Sequence, residues 1–415
     1  QFCMQVARRT DSASMAAPCC ERLSAVAAHV VAGGVSPHRA AAAESSLPEQ
    51  PRHTGAVIGL GWMGMLYDLA QRMGHWHVDD VDRPTPELDV HRRFPYHERH
   101  NPRSNVPTSY AEALADRPEI KLVAAAERDP KRLAAFQQRY AVDALYTDAR
   151  QMLETERPEI VAIASNTKGR AALTCLAVEC GAKGIVTEKP IADTIEEAER
   201  MVSICAAAGV PLVCGATSVN HPSFAVARGL LAEGAIGELV SMESVVFAQH
   251  QNWAYFLTDA PAWVIGHGDE DPRESGSGEF RGDGLMVTGG GLGVHFRKGA
   301  PAVRLTGTTG EILHAGNYTP WQIFKDVETS TGVTRIEWPW PGVQLNQAGG
   351  AAIDGLNDVM DCLAGRLDEP KNSGRRVAMA LEVEVALKMS AAQGGCRVEL
   401  PLKDRSAGLD YDWHR

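Results

Sequence analysis

Hydrophobic and polar positions follow two styles of patterning along this chain. From Gly55 onward, short continuous apolar runs alternate with stretches of helical spacing. Gly55-Ala56-Val57-Ile58 is the first run; it ends in glycines, and Met63, Leu66 and Ala70 then fall on one helical face. Ile120-Lys121-Leu122-Val123-Ala124-Ala125-Ala126 is the second, ahead of Leu133, Phe136 and Tyr140. Ile160-Val161-Ala162-Ile163-Ala164 is the third, followed by Leu173 and Leu176. Gly184-Ile185-Val186-Thr187 and Pro211-Leu212-Val213-Cys214 are the fourth and fifth. Strands buried on both faces need such unbroken apolar runs. Their alternation with helices predicts βαβ units in a parallel sheet.

After about Ser218 the pattern changes. A helix is predicted from Pro222 to Glu233 and a strand from Glu238 to Phe247. Short glycine-punctuated runs from Gly278 to Trp340 suit a largely antiparallel sheet. Leu356, Val359, Met360 and Leu363 mark one closing helix; Leu381, Val385 and Met389 mark another. The fold class expected is α/β, a doubly wound Rossmann sheet followed by an α+β domain with a largely antiparallel sheet. The expected division is 1–53 leader, 54–218 dinucleotide domain and 219–415 substrate and oligomerisation domain.

Two stretches fall outside that scheme. Residues 75–107 lack apolar periodicity and carry His75, His77, His91, His97 and His100. They follow the first helix, so they fall at the amino ends of the strands, opposite the cofactor edge. A surface insertion is expected there. His75, His77, Asp79 and Asp80 have no recognised metal-ligand spacing, and no metal is expected. The first fifty residues are rich in Ala and Ser and include Arg8, Arg9, Arg22 and Arg39. A transit peptide and a disordered leader both fit them.

Composition narrows the class. Of 415 residues, 44% are hydrophobic and 22% charged, enough apolar material for two cores. A net charge of -11 argues against nucleic acid as a partner. No apolar run reaches the roughly 20 residues of a membrane helix. The nine cysteines include no C-x-x-C pair, and Cys175, Cys180, Cys205 and Cys214 fall in buried patterns. Reduced core thiols are expected, and with them a cytoplasmic location, or an organelle if the leader is a transit peptide.

Gly59-Leu60-Gly61-Trp62-Met63-Gly64 sits between the first strand and its helix, the context that makes G-x-G-x-x-G informative. Gly59 permits a tight turn, Gly61 lets the backbone approach a pyrophosphate, and Gly64 lets helix and strand pack closely. The pyrophosphate then rests on N–H groups at the helix start. The second strand ends at Glu127, whose carboxylate can take both adenosine ribose hydroxyls and would repel a 2′-phosphate. Arg128, next in sequence, would welcome that phosphate. NAD is favoured, with NADP as the alternative.

A set of motifs in fixed order then identifies a family. The glycine turn, Ala126-Glu127-Arg128-Asp129-Pro130, Ala164-Ser165-Asn166-Thr167, Glu188-Lys189-Pro190 and Glu233-Gly234-Ala235-Ile236-Gly237-Glu238 come first. Ser373-Gly374-Arg375-Arg376 and Val398-Glu399-Leu400-Pro401-Leu402 follow near the end. From about Gly55 to Ser406 the chain resembles the glucose–fructose oxidoreductase/inositol dehydrogenase/rhizopine-catabolism (Gfo/Idh/MocA) family. The resemblance implies NAD(P)-dependent hydride transfer at a hydroxyl or carbonyl carbon of a sugar, cyclitol or related molecule. It implies cofactor contacts at the glycine turn, Glu127, Arg128, Ser165, Asn166, Glu188 and Lys189. It also implies a homo-oligomer built through the open face of the second sheet.

Lys189 would stand at the carboxyl end of a parallel strand, on the binding edge. There it could take a hydroxyl proton as hydride leaves, or polarise a carbonyl for reduction. Lowering an amine pKa from about 10.4 by about 3 units corresponds to roughly 4 kcal/mol, within reach of desolvation. A cis Lys189–Pro190 bond would fix the side chain's direction.

The family pattern is broken elsewhere. It places an Asp and a His four residues apart as partners of the lysine. Here His250 is the candidate, with Val246 at the acidic position. His221 is a candidate for substrate binding, and His267 is a rival. Ser109-Tyr110-Ala111 takes the place of an earlier Ser-His-Ala-like segment. Three readings follow: a dehydrogenase, a nucleotide-binding sensor or assembly protein, and a redox-neutral glycosidase using bound NAD.

Overall fold

The computed structural model describes residues 51–66, 107–245, 251–268, 278–316, 319–344 and 352–410. The leader, most of the 75–107 insertion with its histidines, and His250 lie outside them.

The first five apolar runs all form strands: β1 (His53–Ile58), β2 (Ile120–Ala126), β4 (Ile160–Ile163), β5 (Gly184–Thr187) and β6 (Leu212–Cys214). A short strand, β3 (Ala144–Tyr146), joins them. The six are parallel in the order β3-β2-β1-β4-β5-β6, the doubly wound arrangement with a reversal between β1 and β4. Helices α1 (Tyr110–Ala115), α2 (Pro130–Tyr140), α3 (Ala149–Glu156), α4 (Arg170–Glu179) and α5 (Ile195–Ala208) connect them. Asp129, Asp148 and Thr194 cap α2, α3 and α5 by accepting backbone N–H bonds.

Successive strand residues enter opposite cores, which explains the continuous apolar runs. Ala56, Ile58, Val161, Ile163 and Ile185 pack with residues of α3, α4 and α5. Val57, Ala125, Ile160, Ala162 and Val186 pack on the other face with Leu114 and Phe136. Each such branched side chain contributes about 1.5–3 kcal/mol on burial.

The second half opens with α6 (Pro222–Ala232), then β7 (Leu239–Ser244), β8 (Pro261–His267), β9 (Asp283–Thr288), β10 (Gly293–Phe296), β11 (Val303–Gly307), β12 (Gly310–His314), β13 (Trp321–Thr329) and β14 (Gly332–Trp338). Helices α7 (Ala352–Leu363) and α8 (Gly374–Ala392) follow, then β15 (Val398–Glu399). The nine strands form one sheet, β14-β13-β12-β11-β7-β10-β9-β8-β15, antiparallel except for the β7–β10 pair. The inner face, with Met242, Val264, Met286, Val294 and Leu305, shares a core with Val377, Leu381 and Val385 of α8.

Helix α7 returns to the first sheet. Ile353, Leu356 and Val359 share a core with Val57 and Val186, and a Cβ at Gly184 would overlap Val359. A division of the chain by linear order does not foresee this. No helix among the described residues is long and apolar enough to cross a membrane. Burial pushes the Cys205 and Cys214 thiols up to about 12, as expected of inert core cysteines.

Candidate active site

Three glycines shape the turn after β1. Gly59 has φ +87°, and its N–H donates to Ala126 O at 2.8 Å; a Cβ there would press on the Ala164 backbone. A Cβ on Gly64 would overlap the Gly59 carbonyl. Around Gly61 a Cβ would meet only Arg132, at 3.6 Å, so this backbone faces open space. The following turn is π-type: Gly61 O accepts from both Met65 N and Leu66 N at 3.1 Å. Leu60 is buried, Met63 half-buried, and Trp62 is 41% exposed beside the turn.

The turn borders a cleft of about 670 Å³ at the carboxyl ends of β1, β2 and β4. This is the reversal point of the sheet, where a dinucleotide binds in this architecture. Gly59, Gly61, Glu127, Arg128, Ser165 and Asn166 all line it. Glu127 turns back on the glycine loop. Its Oε2 accepts from Leu60 N at 2.7 Å, and its Oε1 accepts from Arg128 N at 2.7 Å. Four cations also line the cleft: Arg128, Arg132, Arg150 and Lys168. The chemistry fits a dinucleotide, with bare backbone for a pyrophosphate, a carboxylate at the end of β2 and cations for negative charge.

Glu188 and Lys189 stand one strand further along the same edge, at the end of β5. They do not line the cleft, but Arg170 ties them to it. This guanidinium is 1% exposed. Its Nη1 donates to Glu188 O at 2.7 Å and to Pro190 O, and its Nη2 donates to Ser165 O. Arg170 therefore fastens the β4 turn to the β5 turn. Burial pulls its pKa down.

Glu188 is also buried, and each oxygen is held. Tyr110 Oη donates to Oε1 at 2.7 Å, Ala216 N approaches the same oxygen at 3.3 Å, and Lys189 N donates to Oε2 at 3.0 Å. Burial first, then the Glu188 charge, raises the Tyr110 pKa well above its usual value, so this hydroxyl stays a donor. The Lys189–Pro190 bond is cis. Gly215, at φ +86°, packs against the Lys189 side chain, where a Cβ would come within 3.1 Å of it. Burial lowers the Lys189 pKa, while Glu188 and then Glu279 oppose the shift.

Sequence reasoning missed Arg170, Gly215 and Glu279. Nothing in the local pattern distinguishes one arginine near a helix start or one acid in an irregular loop. Tyr110 was noticed only as a missing histidine. Of the histidine candidates, His250 lies outside the described residues and His267 is exposed. His221 is fully buried and caps α6, with Ser223 N donating to its Nδ1 at 3.1 Å. The contacts described for it are those of a helix cap. Among the described residues no cluster of His, Cys, Asp and Glu could hold a metal ion.

These features define a dinucleotide-binding Rossmann protein with a half-buried lysine on its binding edge. Residues 104–216 match the model of the GFO_IDH_MocA oxidoreductase family with NAD-binding Rossmann fold. It is 33% identical over 129 residues to D-apiose dehydrogenase from Paraburkholderia graminis, covering 31% of this chain and 34% of that protein. It is 25% identical over 263 residues to dTDP-3,4-didehydro-2,6-dideoxy-alpha-D-glucose 3-reductase from Saccharopolyspora spinosa, covering 55% and 77%. The match to the apiose enzyme thus spans about a third of that relative's length. Among solved structures, an oxidoreductase from Agrobacterium radiobacter in complex with NAD+, L-tartaric acid and magnesium has the same fold. It aligns with TM-score 0.57 and 18% identity over 84% of this chain and 98% of that one.

Proposed function

We propose that this protein is an NAD(P)-dependent oxidoreductase acting at a CH–OH or carbonyl carbon of a sugar, cyclitol or related small molecule, with NAD as the preferred cofactor. One observation carries the reading: a half-buried lysine of lowered pKa stands beside the dinucleotide cleft, on a turn tied to it by Arg170. The nicotinamide supplies the hydride acceptor or donor. Lys189 supplies the proton chemistry. As a neutral amine it takes the hydroxyl proton during oxidation; as an ammonium it polarises the carbonyl during reduction. Glu127 at the ribose position supports NAD, whereas the four cations lining the cleft would suit the extra phosphate of NADP. The sugar-directed names of both relatives support the substrate class.

The test is titration of NAD(H) and NADP(H) followed by Trp62 fluorescence, then NADH formation on a panel of polyols and sugars. Tight NAD binding and turnover are expected. Lys189→Ala should lower kcat about 10²–10⁴-fold while binding persists. Failure of either cofactor to bind would overturn the reading. Binding without turnover, unchanged in Lys189→Ala, would favour a sensor. Because the proton acceptor must be the neutral amine, oxidation should rise with pH through the lysine's pKa. With that pKa lowered, the plateau should begin below the usual lysine value of about 10.4.

We further propose a homo-oligomer joined through the outer face of the second sheet. There Trp263 and Ile265 of β8 adjoin Val287 and Leu285 of β9, all half-buried. Sedimentation giving a monomer would refute it. A cytoplasmic setting suits the six described cysteines, all free thiols. A small molecule rather than nucleic acid suits a net charge of -11.

A further inference from the structure

Strand β14 differs from every other strand of the second sheet. It closes one end of that sheet, and among the described residues it pairs with β13 alone. All seven of its residues, Gly332–Trp338, are exposed. Three of them are large and apolar: Val333 at 68%, Trp338 at 47% and Ile336 at 38%. A free edge offers its outward N–H and C=O groups to any strand that can match them, and proteins blunt such edges with proline, lysine or a bulge. Strand β14 contains neither proline nor lysine. Its register with β13 runs unbroken from Ile323–Trp338 to Thr329–Gly332, so no bulge turns the edge away.

The charges on β14 match a second β14. Antiparallel pairing across a two-fold axis sets one residue opposite itself and its neighbours opposite each other. An axis at Arg335 or at Glu337 would face like charges, which is destabilising. An axis at Thr334 would set Arg335 against Val333. An axis at Ile336 sets isoleucine against isoleucine, Thr334 against Trp338, and Arg335 against Glu337 twice. Both charged groups have an atom to spare. Arg335 gives Nε and Nη2 to Asp326 at 2.7 and 3.0 Å, which leaves Nη1. Glu337 accepts from Gln322 through Oε1 at 3.3 Å, which leaves Oε2. Side chains alternate between the faces of a strand, so Ile336 and Trp338 share one face and the charged pair the other. Lys325 lies over the Trp338 ring at 5.2 Å on that first face.

We propose that β14 pairs with β14 of a second copy of this chain, antiparallel and centred on Ile336, so that two sheets continue as one. Arg335 then reaches the partner's Glu337, and the reverse contact completes the pair. The isoleucines and tryptophans of the two strands cover one another on the opposite face. This surface is separate from the sheet face proposed above: Trp263 and Ile265 lie on β8, next to the other end of the strand order. It does not depend on the oxidoreductase reading. A chain that uses both contacts forms an assembly larger than a dimer, because each contact is isologous.

The experiment reads the register itself. Residues opposite each other in an antiparallel pair have Cα atoms about 4.5–5.5 Å apart, within disulfide reach. Full-length Ile336→Cys, oxidised with copper–phenanthroline, should give a 336–336 disulfide, identified by mass spectrometry of its peptides. Val333→Cys should give no 333–333 disulfide, since in this register the two copies of that residue lie about 20 Å apart at about 3.4 Å per residue. Ile336→Lys sets two ammonium groups face to face and should lower the assembly mass at least twofold in sedimentation, with the circular dichroism spectrum unchanged. Absence of the 336–336 disulfide, or a yield no higher than that of 333–333, overturns the proposal. So does an assembly mass unaffected by Ile336→Lys, a wild-type monomer included. Trp263→Glu tests the sheet-face contact separately: it should lower the mass while the 336–336 disulfide still forms.

Discussion

The two ends of the binding edge are built on different physics. At the glycine turn the backbone makes the site: a positive φ at Gly59, a tight crossing at Gly64, and bare chain at Gly61 facing the cleft. At Lys189 buried side chains make it: Arg170 across three carbonyls, Tyr110 and Ala216 on Glu188, and Glu188 on the lysine's own N–H. The glycine turn itself should resist changes of shape, since added Cβ atoms at Gly59 and Gly64 would meet backbone. The Lys189 end should instead be sensitive to changes of charge.

Arg170→Met is the sharpest way to break that contrast. It keeps most of the volume and removes the donors to Ser165 O, Glu188 O and Pro190 O. A hydrogen bond to a charged group is worth about 1.5–3 kcal/mol, and a buried acceptor left unmet adds to the loss. Destabilisation of about 3–5 kcal/mol in chemical denaturation is expected, with turnover falling more than cofactor affinity. If NAD affinity instead fell most and turnover of bound enzyme held, the two ends would not be separable in this way.

How much was legible follows the same line. The glycine turn and five strands were readable because their physics is local: glycine where φ is positive, unbroken apolar runs where both faces are buried. Strand β3 escaped because Ala144-Leu145-Tyr146 is short and only half-buried. Strand β8 escaped because it opens on Pro261 and ends in Gly266-His267, which resembles a loop. The return of α7 to the first sheet left no local mark; Val359 meets Gly184 across 175 positions of chain. Lys189 was legible through its motif, but Arg170 and Gly215 were not. Each acquires its role from a partner far away in sequence.

Gly64→Ala probes the backbone end. The added methyl would overlap the Gly59 carbonyl, and backbone must move to relieve it. Overpacking of this kind costs about 1–3 kcal/mol. Since the movement displaces the N–H groups meant for the pyrophosphate, NAD affinity should drop at least about tenfold, more than an N–H bond's loss of about 1 kcal/mol would explain. The pH dependence of turnover should not move, because no charge near Lys189 changes. Titration calorimetry and a pH profile on one preparation read both quantities.

Tyr110→Phe is the mildest change and the most discriminating. It deletes one hydroxyl from a fully buried ring, at a cost of about 1 kcal/mol. Glu188 keeps Ala216 N and Lys189 N, so the loop should hold its shape and NAD affinity should stay within about twofold. The effect should fall on turnover. With one fewer donor holding it, the Glu188 carboxylate is less firmly placed against the Lys189 N–H. Turnover should therefore drop by about two- to fivefold, for a loss of about 0.5–1 kcal/mol. Unchanged turnover with lowered thermal stability would mean that Tyr110 serves packing alone. The charge network at Lys189 would then begin at Glu188 rather than one residue behind it.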